Sequence, residues 1–266
     1  MKRKNQWVWL VILALIVIVA GFWLYDWVLG DTEEASGPIN ATPVALETAV
    51  PTALPPTAIP PTATEPPVSV DPTQPPATEA PVSAPASNPV VYKISQDESQ
   101  VLFNIFEELR GAPKDVIGAS NQVAGEIAVD LNDLSTAKAG VFQINARTLV
   151  TDDDRRNQAI RNRILNTDQY EFVTFTPTQI TGLSGSAAPG QTLTFQIAGD
   201  LTIRDITKPV VFEVTGQVES PERLTGTAKT VIQRGDFELV VPDLPFIANV
   251  GQQVDLQIDM VLVPVN

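Results

Sequence analysis

Apolar and polar residues alternate through several segments of the chain that follow residue 90. The longest such segment has five apolar residues at every second position, Val254, Leu256, Ile258, Met260 and Leu262. Shorter segments with the same period lie at 101–106, 142–147 and 193–198. This period is typical of strands with one apolar and one polar face. About eight such segments fit into the C-terminal part, which predicts an all-β, antiparallel barrel or a two-sheet sandwich.

One helix is predicted to interrupt the strands near residues 152–165. Thr151 or Asp152 is a suitable N-cap, because a short polar side chain can accept a hydrogen bond from the first turn. Ile160 and Ile164 are spaced to form a buried stripe, and Asn166 is suited to end the helix.

The first 29 residues are predicted to form a transmembrane anchor. The 19 residues 7–25 are uncharged and mostly apolar. As a helix rising about 1.5 Å per residue they reach roughly 28 Å, enough to cross a bilayer's hydrocarbon core. Lys2, Arg3 and Lys4 precede them, which places the N-terminus in the cytoplasm and the rest of the chain in the periplasm or at the cell surface. A cleaved signal peptide is the alternative, although its apolar region is usually only about 7–15 residues long.

Residues 30–89 are predicted to form a disordered linker. They contain no aromatic residue and hold 15 of the 23 prolines, so they cannot bury enough apolar surface to fold. Extended at about 3.1 Å per residue, they would hold the following domain up to roughly 180 Å from the membrane. The predicted organisation is an anchor (1–29), a linker (30–89) and a β domain (90–266).

Composition excludes several kinds of chemistry. The chain contains no cysteine and no histidine, which removes the usual zinc and copper ligands and the Ser-His-Asp and Cys-His catalytic sets. The run Asp152–Asp154 lacks the spacing and the glycine of a calcium loop. No metal site and no catalytic site are therefore predicted, and the protein is not expected to be an enzyme. The net charge of −14 disfavours nucleic acid as a partner.

Four segments resemble the YceI-like family in their order and spacing. They are GEIAVD at Gly125–Asp130 followed by FQINARTLVTDD at Phe142–Asp153, the helical segment and strand at Arg155–Phe175, GDLTIRDITKPVVFEV at Gly199–Val214, and RGDFEL at Arg234–Leu239. Of these, GDLTIRDITKPVVFEV is the most specific. The chain departs from the family at Asn157 and Ala159, where Asp and His are frequent, and at Glu238, where Gly is frequent.

The resemblance implies an antiparallel, lipocalin-like barrel of about eight strands with one inserted helix and an interior that holds one ligand. It implies an isoprenoid-type lipid or quinone as that ligand, with no other cofactor, and it allows a homodimer. The residues expected to line the cavity are Phe103, Ile105, Phe142, Ile144, Phe175, Phe195, Ile197, Phe212, Ile258 and Met260. For each of them the alternative is that its side chain packs the core without touching a ligand.

The arginines of the predicted helix are candidates for a ligand head group, because a guanidinium binds oxygen acceptors in a planar, bidentate manner. Arg156 and Arg161 match the family helix best, and Arg155 and Arg163 are the other two. The alternative is that these arginines pair with nearby carboxylates at the surface.

Two functions follow from these observations. The first is a membrane-tethered, extracytoplasmic protein that sequesters or carries an isoprenoid lipid. The second is a ligand-free display or adhesion module on a stalk, which would act through exposed loops such as Arg110–Asn121 or Gly182–Gly190. A packed interior would favour the module, and a long apolar cavity would favour the carrier.

Overall fold

The computed structural model describes residues 12–13, 15–19, 33–44, 88–241 and 247–265. Two compact units are distinguished along the chain, residues 1–45 together with 87–266, and residues 46–86. All described residues lie in the first unit.

The described residues form one curled sheet of thirteen antiparallel strands. The strands are β1 (Val90–Ile94), β2 (Gln100–Leu109), β3 (Ala112–Ser120), β4 (Val123–Ala124), β5 (Glu126–Val129), β6 (Lys138–Ala139), β7 (Phe142–Asn145), β8 (Phe172–Thr181), β9 (Thr192–Ile203), β10 (Ile206–Ser220), β11 (Arg223–Gln233), β12 (Ile247–Ala248) and β13 (Gln253–Pro264). Short 3₁₀ turns lie at Gln96–Glu98, Leu134–Thr136, Ala146–Thr148 and Arg234–Phe237.

The sheet curls so that its two ends approach each other. The run β7-β8-β9-β10-β11-β13 is continuous, and β13 then pairs with both β1 and β2. β4 and β5 are separated only by Gly125, yet β4 pairs with β7 whereas β5 pairs with β1. The segment β4–Gly125–β5 therefore links the two ends of the sheet, since β4 lies at one end of the strand order and β5 lies next to the other.

The alternating pattern of β13 matches its position in the structure. Val254, Ile258 and Leu262 are buried in the core, while Leu256 and Met260 on the same face are only partly buried. Removing apolar side chains from water stabilises the sheet by roughly 25 cal/mol per Å². The two partly buried side chains show that the interior is not completely filled.

The predicted eight strands are too few, since the described residues contain thirteen. β4, β6 and β12 are two residues long, too short to produce a recognisable alternation. The prediction of an exposed loop at 110–121 is also wrong, because β3 occupies most of this segment. Pro113 and Gly118 obscure the strand pattern there.

The predicted helix is present as α1 (Asp154–Ala159), which continues into a π-helical turn at Ile160–Ile164. Its N-cap is Asp153 rather than Thr151 or Asp152, and the Asp153 side chain accepts a hydrogen bond from the Arg156 N–H at 2.9 Å. Ile160 is buried as expected, and Ile164 packs partly against the core. The left-handed backbone of Asn166, with φ of 48°, follows the end of the turn.

Part of the predicted disordered linker is ordered on the sheet. Residues 33–44, here called the strap, make hydrogen bonds to residues that lie more than 50 positions away in sequence. Ile39 of the strap is buried. Composition did not reveal this segment, because its contacts are mostly made by backbone groups. Residues 45–87 of the linker lie outside the described residues.

Near the N-terminus, residues 12–13 and 15–19 are helical. The remainder of the predicted span 7–25 lies outside the described residues. Within the described ranges, no helix is both long enough and apolar enough to cross a membrane.

Candidate functional site

Two apolar cavities lie inside the curled sheet, one of about 450 Å³ and one of about 100 Å³. All ten residues predicted to line a cavity are found in their walls. Phe103, Ile105 and Ile144 line the large cavity; Phe142, Phe195, Ile197 and Met260 line the small one; Phe175, Phe212 and Ile258 line both. The alternation of the strands thus predicted which side chains face inward. That they contact a ligand remains a prediction.

Three phenylalanine rings lie where the two cavities meet. The ring of Phe175 is 4.9 Å from that of Phe212 in an edge-to-face arrangement and 6.4 Å from that of Phe142. Such aromatic pairs stabilise each other by about 0.5–1.5 kcal/mol beyond the apolar area they bury. We call these three residues the aromatic partition, because Phe175 and Phe212 belong to the walls of both cavities.

Two phenylalanine rings, one of them in the aromatic partition, lie directly against glycines. A Cβ atom added at Gly118 would lie 2.1 Å from the Phe103 ring, and one added at Gly125 would lie 2.4 Å from the Phe142 ring. Both distances are far shorter than van der Waals contact, so only glycine permits these rings to lie directly on the backbone.

Charged side chains are concentrated at the large cavity. Its wall includes Glu107, Arg110, Lys114, Asp152, Asp153, Arg155, Arg156 and Arg234, whereas the small cavity has Lys138 as its charged lining residue. A ligand that occupies both cavities would therefore meet hydrogen-bonding groups at one end and apolar groups at the other. This asymmetry suits an amphipathic molecule.

Arg156 and Glu107 form an ion pair in this wall, with Arg156 Nη2 2.8 Å from Glu107 Oε1. Their side chains are 14% and 6% exposed. Arg156 also binds the Asp152 carboxylate, while its Nε–H is buried without a hydrogen-bond acceptor among the described atoms. The guanidinium thus has one unsatisfied donor, which is itself buried.

Sequence reasoning missed Glu107, although a signal for it exists. Phe103 and Ile105 face the cavity from β2, and Glu107 is the next residue on the same face of that strand. An acidic residue that continues an apolar face is unusual, and a basic partner is expected when it is buried.

The two predicted head-group arginines are placed differently. Arg156 lies in the wall of the large cavity, but Arg161 is not among the described residues that line either cavity. Five residues along a helix correspond to a rotation of about 140° from the first position, so the two side chains point in different directions. Arg155, next to Arg156, does line the large cavity.

Hydrogen bonds to the carboxylates near α1 influence their ionisation. The pKa of Asp152 is held below its ordinary value by hydrogen bonds from Lys114 and Arg156. For Glu171, burial raises the pKa, but hydrogen bonds from Ser36 and Asn145 and the charge of Arg147 outweigh it and lower the pKa overall. Within the described residues, no three acidic side chains are grouped so that they could hold a metal ion.

The fold and the site place this chain among the all-β proteins in which a curled antiparallel sheet surrounds an apolar cavity. The chain belongs to the YceI-like family, because the family model of the YceI-like domain matches residues 92–262. No curated protein sequence matches the chain.

Several solved structures are similar to this one. A polyisoprenoid binding domain from Saccharophagus degradans, implicated in plant cell wall breakdown, is 14% identical with a TM-score of 0.52, and the match covers 66% of this chain and 99% of that one. BcnA of Burkholderia cenocepacia is 18% identical with a TM-score of 0.49, covering 63% and 98% of the two chains. The YceI protein of Campylobacter jejuni is 16% identical with a TM-score of 0.41, covering 54% and 81%. At 14% identity, the similarity to the Saccharophagus degradans domain shows that the two proteins share a fold, and nothing more.

Proposed function

We propose that this protein is a membrane-tethered, extracytoplasmic binding protein that holds an isoprenoid-type lipid, a quinone or a polyprenyl chain, in its internal cavity. The observation that carries the proposal is the apolar cavity of about 450 Å³, adjoined by a second of about 100 Å³. The similar domain from Saccharophagus degradans is described as polyisoprenoid binding. The proposed role is binding and requires no chemical step.

The affinity would come mainly from burial of the hydrocarbon chain. A prenyl chain offers no hydrogen bonds, and each buried methylene contributes about 0.8 kcal/mol. A preformed apolar cavity lowers the entropy cost of ordering the chain. An unfilled interior of this size does not suit a ligand-free display module, whose core is expected to be packed.

The head group would lie at the charged end of the large cavity. Arg155 and Arg156 both lie in this wall, and a guanidinium can donate hydrogen bonds to a carbonyl or phosphate oxygen. A quinone carbonyl or a polyprenyl phosphate would supply such an oxygen.

Membrane tethering is the second part of the proposal. The seven described helical residues between positions 12 and 19 are Ile, Leu or Val and are 41–66% exposed. Exposure of so many adjacent apolar side chains to water is unfavourable, and a surrounding bilayer would remove that cost. The basic residues Lys2, Arg3 and Lys4 then favour a cytoplasmic N-terminus.

Native mass spectrometry of the purified full-length chain tests the binding. We expect a bound mass that organic extraction identifies as a prenyl quinone or polyprenol, or uptake of one when several chain lengths are added. If the chain takes up none of them, the proposal is wrong.

A matched pair of variants assigns the binding to the cavity. Phe195→Asp places a carboxylate in the wall of the small cavity, and a charge among apolar groups disfavours a hydrocarbon ligand. Val231→Asp makes the same change at an exposed position of β11. We expect the first variant to lose at least 90% of the bound lipid and the second to retain it. Equal retention in both, with the folded circular dichroism spectrum preserved, would contradict binding in the cavity.

A further inference from the structure

The strap is bound to the sheet from its first described residue to its last. At its start, Arg147 Nη2 lies 2.9 Å from Glu33 Oε2, and Arg147 Nη1 donates to Glu34 O at 2.9 Å. In its middle, Gln96 Nε2 donates to Ile39 O at 2.7 Å. At its end, the Val44 N–H donates to Glu126 Oε2 at 3.1 Å. Contacts at both ends and in the middle define one conformation for these twelve residues.

Arg147 is the centre of the strongest part of this contact. Its side chain is only 7% exposed, and its Nε donates to Thr167 O at 3.0 Å. On the other side it lies 3.4 Å from Glu171, which accepts hydrogen bonds from both Ser36 N and Ser36 Oγ at 2.6 Å. Hydrogen bonds to ionised groups are roughly twice as strong as neutral ones. The strap therefore binds through a charge-assisted network that is centred on the little-exposed side chains of Arg147 and Glu171.

Val44 and Asn88 are bound at neighbouring points of the sheet domain. Val44 is bound to Glu126, the first residue of β5. On the far side, the Asn88 N–H donates to Asp130 Oδ2 at 3.0 Å, and Asp130 directly follows β5. Four residues of extended strand span about 13 Å. Val44 and Asn88 are therefore held a short distance apart on the same domain.

We infer that the strap is a docking segment that fixes the sheet domain directly beside residue 33, so that the distance between the domain and the N-terminal segment is set before residue 45. The stretch from 45 to 87 then does not set the distance between the domain and the N-terminal segment. With the anchor proposed above, on which this last step rests, the cavity stays close to the bilayer instead of lying up to about 180 Å away.

Double-cysteine variants of the full-length chain test the docking, because the chain has no cysteine of its own. A Cβ atom at Gly140 would lie 3.0 Å from Val44 Cγ2, so Val44→Cys with Gly140→Cys is within reach of a disulfide. The control pair combines Val44→Cys with Lys229→Cys, an exposed position on β11. We expect the first pair to form its disulfide at least tenfold faster than the control under mild oxidation, and Arg147→Gln to slow it. Equal rates for the two pairs would overturn the inference.

A second readout keeps the test informative if the first pair folds poorly. In the chain without added cysteines, the amides of Ser36 and Val44, which donate to Glu171 and Glu126, should exchange their hydrogens at least tenfold more slowly than free amides, and Arg147→Gln should speed that exchange. Replacing residues 46–86 by about 12 Gly and Ser residues, which reach roughly 40 Å, should leave the disulfide rate of Val44→Cys with Gly140→Cys unchanged. A loss of that disulfide would show that residues 46–86 are needed for docking and would contradict the inference. None of these rates depends on bound lipid or on a membrane, so their outcome is separate from that of the lipid-binding experiment.

Discussion

Glu107 and Arg156 bring opposite charges into a wall that is otherwise mostly apolar. Moving each charge out of water costs several kcal/mol, and their mutual attraction over 2.8 Å offsets that cost only while both are present. The pair is therefore a weak source of net stability, but the loss of one partner leaves an uncompensated charge beside the cavity. Its more useful role is to hold the Arg156 guanidinium in a fixed orientation.

Glu107→Ala should lower the free energy of unfolding by about 3 kcal/mol, because it removes the buried partner of Arg156 and leaves only the largely exposed Asp152 carboxylate to compensate that charge. Asp152→Ala removes the other carboxylate bound to Arg156, but that carboxylate is largely exposed, and we expect a loss of at most about 1 kcal/mol. Urea denaturation of both variants measures the difference. Replacing both members of the pair, by Glu107→Leu with Arg156→Met, should recover most of the loss; a larger loss in the double variant would contradict this account.

At the scale of the elements, β7, β8 and β10 each contribute one ring to the aromatic partition. Phe142 and Phe175 are directly opposite each other in the pairing of β7 with β8, and Phe212 reaches Phe175 from β10. Because Phe175 and Phe212 border both cavities, their rings would limit how far the proposed hydrocarbon ligand extends from the large cavity into the small one.

Phe212→Ala should join the two cavities and shift binding towards longer prenyl chains. We expect the affinity for a long prenyl quinone to rise at least tenfold relative to a short one, equivalent to about 1.4 kcal/mol. The measurement is competition between the two quinones, read by mass spectrometry. Phe237→Ala is the matched control, because Phe237 is buried but is not among the described residues that line either cavity. Both variants should lose about 3–5 kcal/mol of stability, and only the first should change the preference. The same preference in both would show that the rings do not limit chain length.

The strands and their inward faces could be predicted from the sequence because alternation reports directly on which side chains are buried. Phe195, Ile258 and Met260, for example, lie on the apolar faces that alternation predicts, and all three line the small cavity. The helix was predictable for a similar reason, since Ile160 and Ile164 follow helical spacing. The observed N-cap, Asp153, lies one residue after the predicted Asp152, because each of several adjacent acidic side chains can serve as a cap.

Other features depend on contacts between segments that are distant in sequence. Whether Arg156 or Arg161 faces the cavity is decided by the rotation of α1 against the sheet, which no local pattern encodes. The strap is held largely by its backbone N–H and C=O groups, and every residue type carries those groups. The membrane anchor and the bound lipid remain predictions.

At the scale of the whole molecule, the absence of histidine determines the response to pH. Histidine is the side chain whose ordinary pKa places its charge change between pH 5 and 8, and this chain has none. Several carboxylates have pKa values held low by hydrogen bonds in the fold, among them Asp130, Asp152 and Glu171. A lowered folded-state pKa stabilises the protein above the unfolded-state pKa, and this stability is lost as the pH falls through the folded-state value.

We therefore expect a melting temperature that is nearly constant from pH 5.5 to 8 and falls below about pH 4.5, where carboxylates of the unfolded chain begin to bind protons. Thermal unfolding followed by circular dichroism measures this. Glu171→Gln should make the acid-side slope shallower, because it removes one of the carboxylates with a lowered pKa, while Glu213→Gln, at an exposed position of β10, serves as the control. A melting temperature that changes steeply between pH 6 and 8 would contradict the prediction.

The glycines behind the rings have a consequence for how such a protein can diverge. Gly118 and Gly125 determine how far the rings of Phe103 and Phe142 withdraw from the interior, although neither glycine is among the residues that line the two cavities. A methyl group at either position would push its ring inward and narrow the cavity. Substitution of either glycine can thus change the size of the cavities over evolutionary time, while the phenylalanines that line them stay the same.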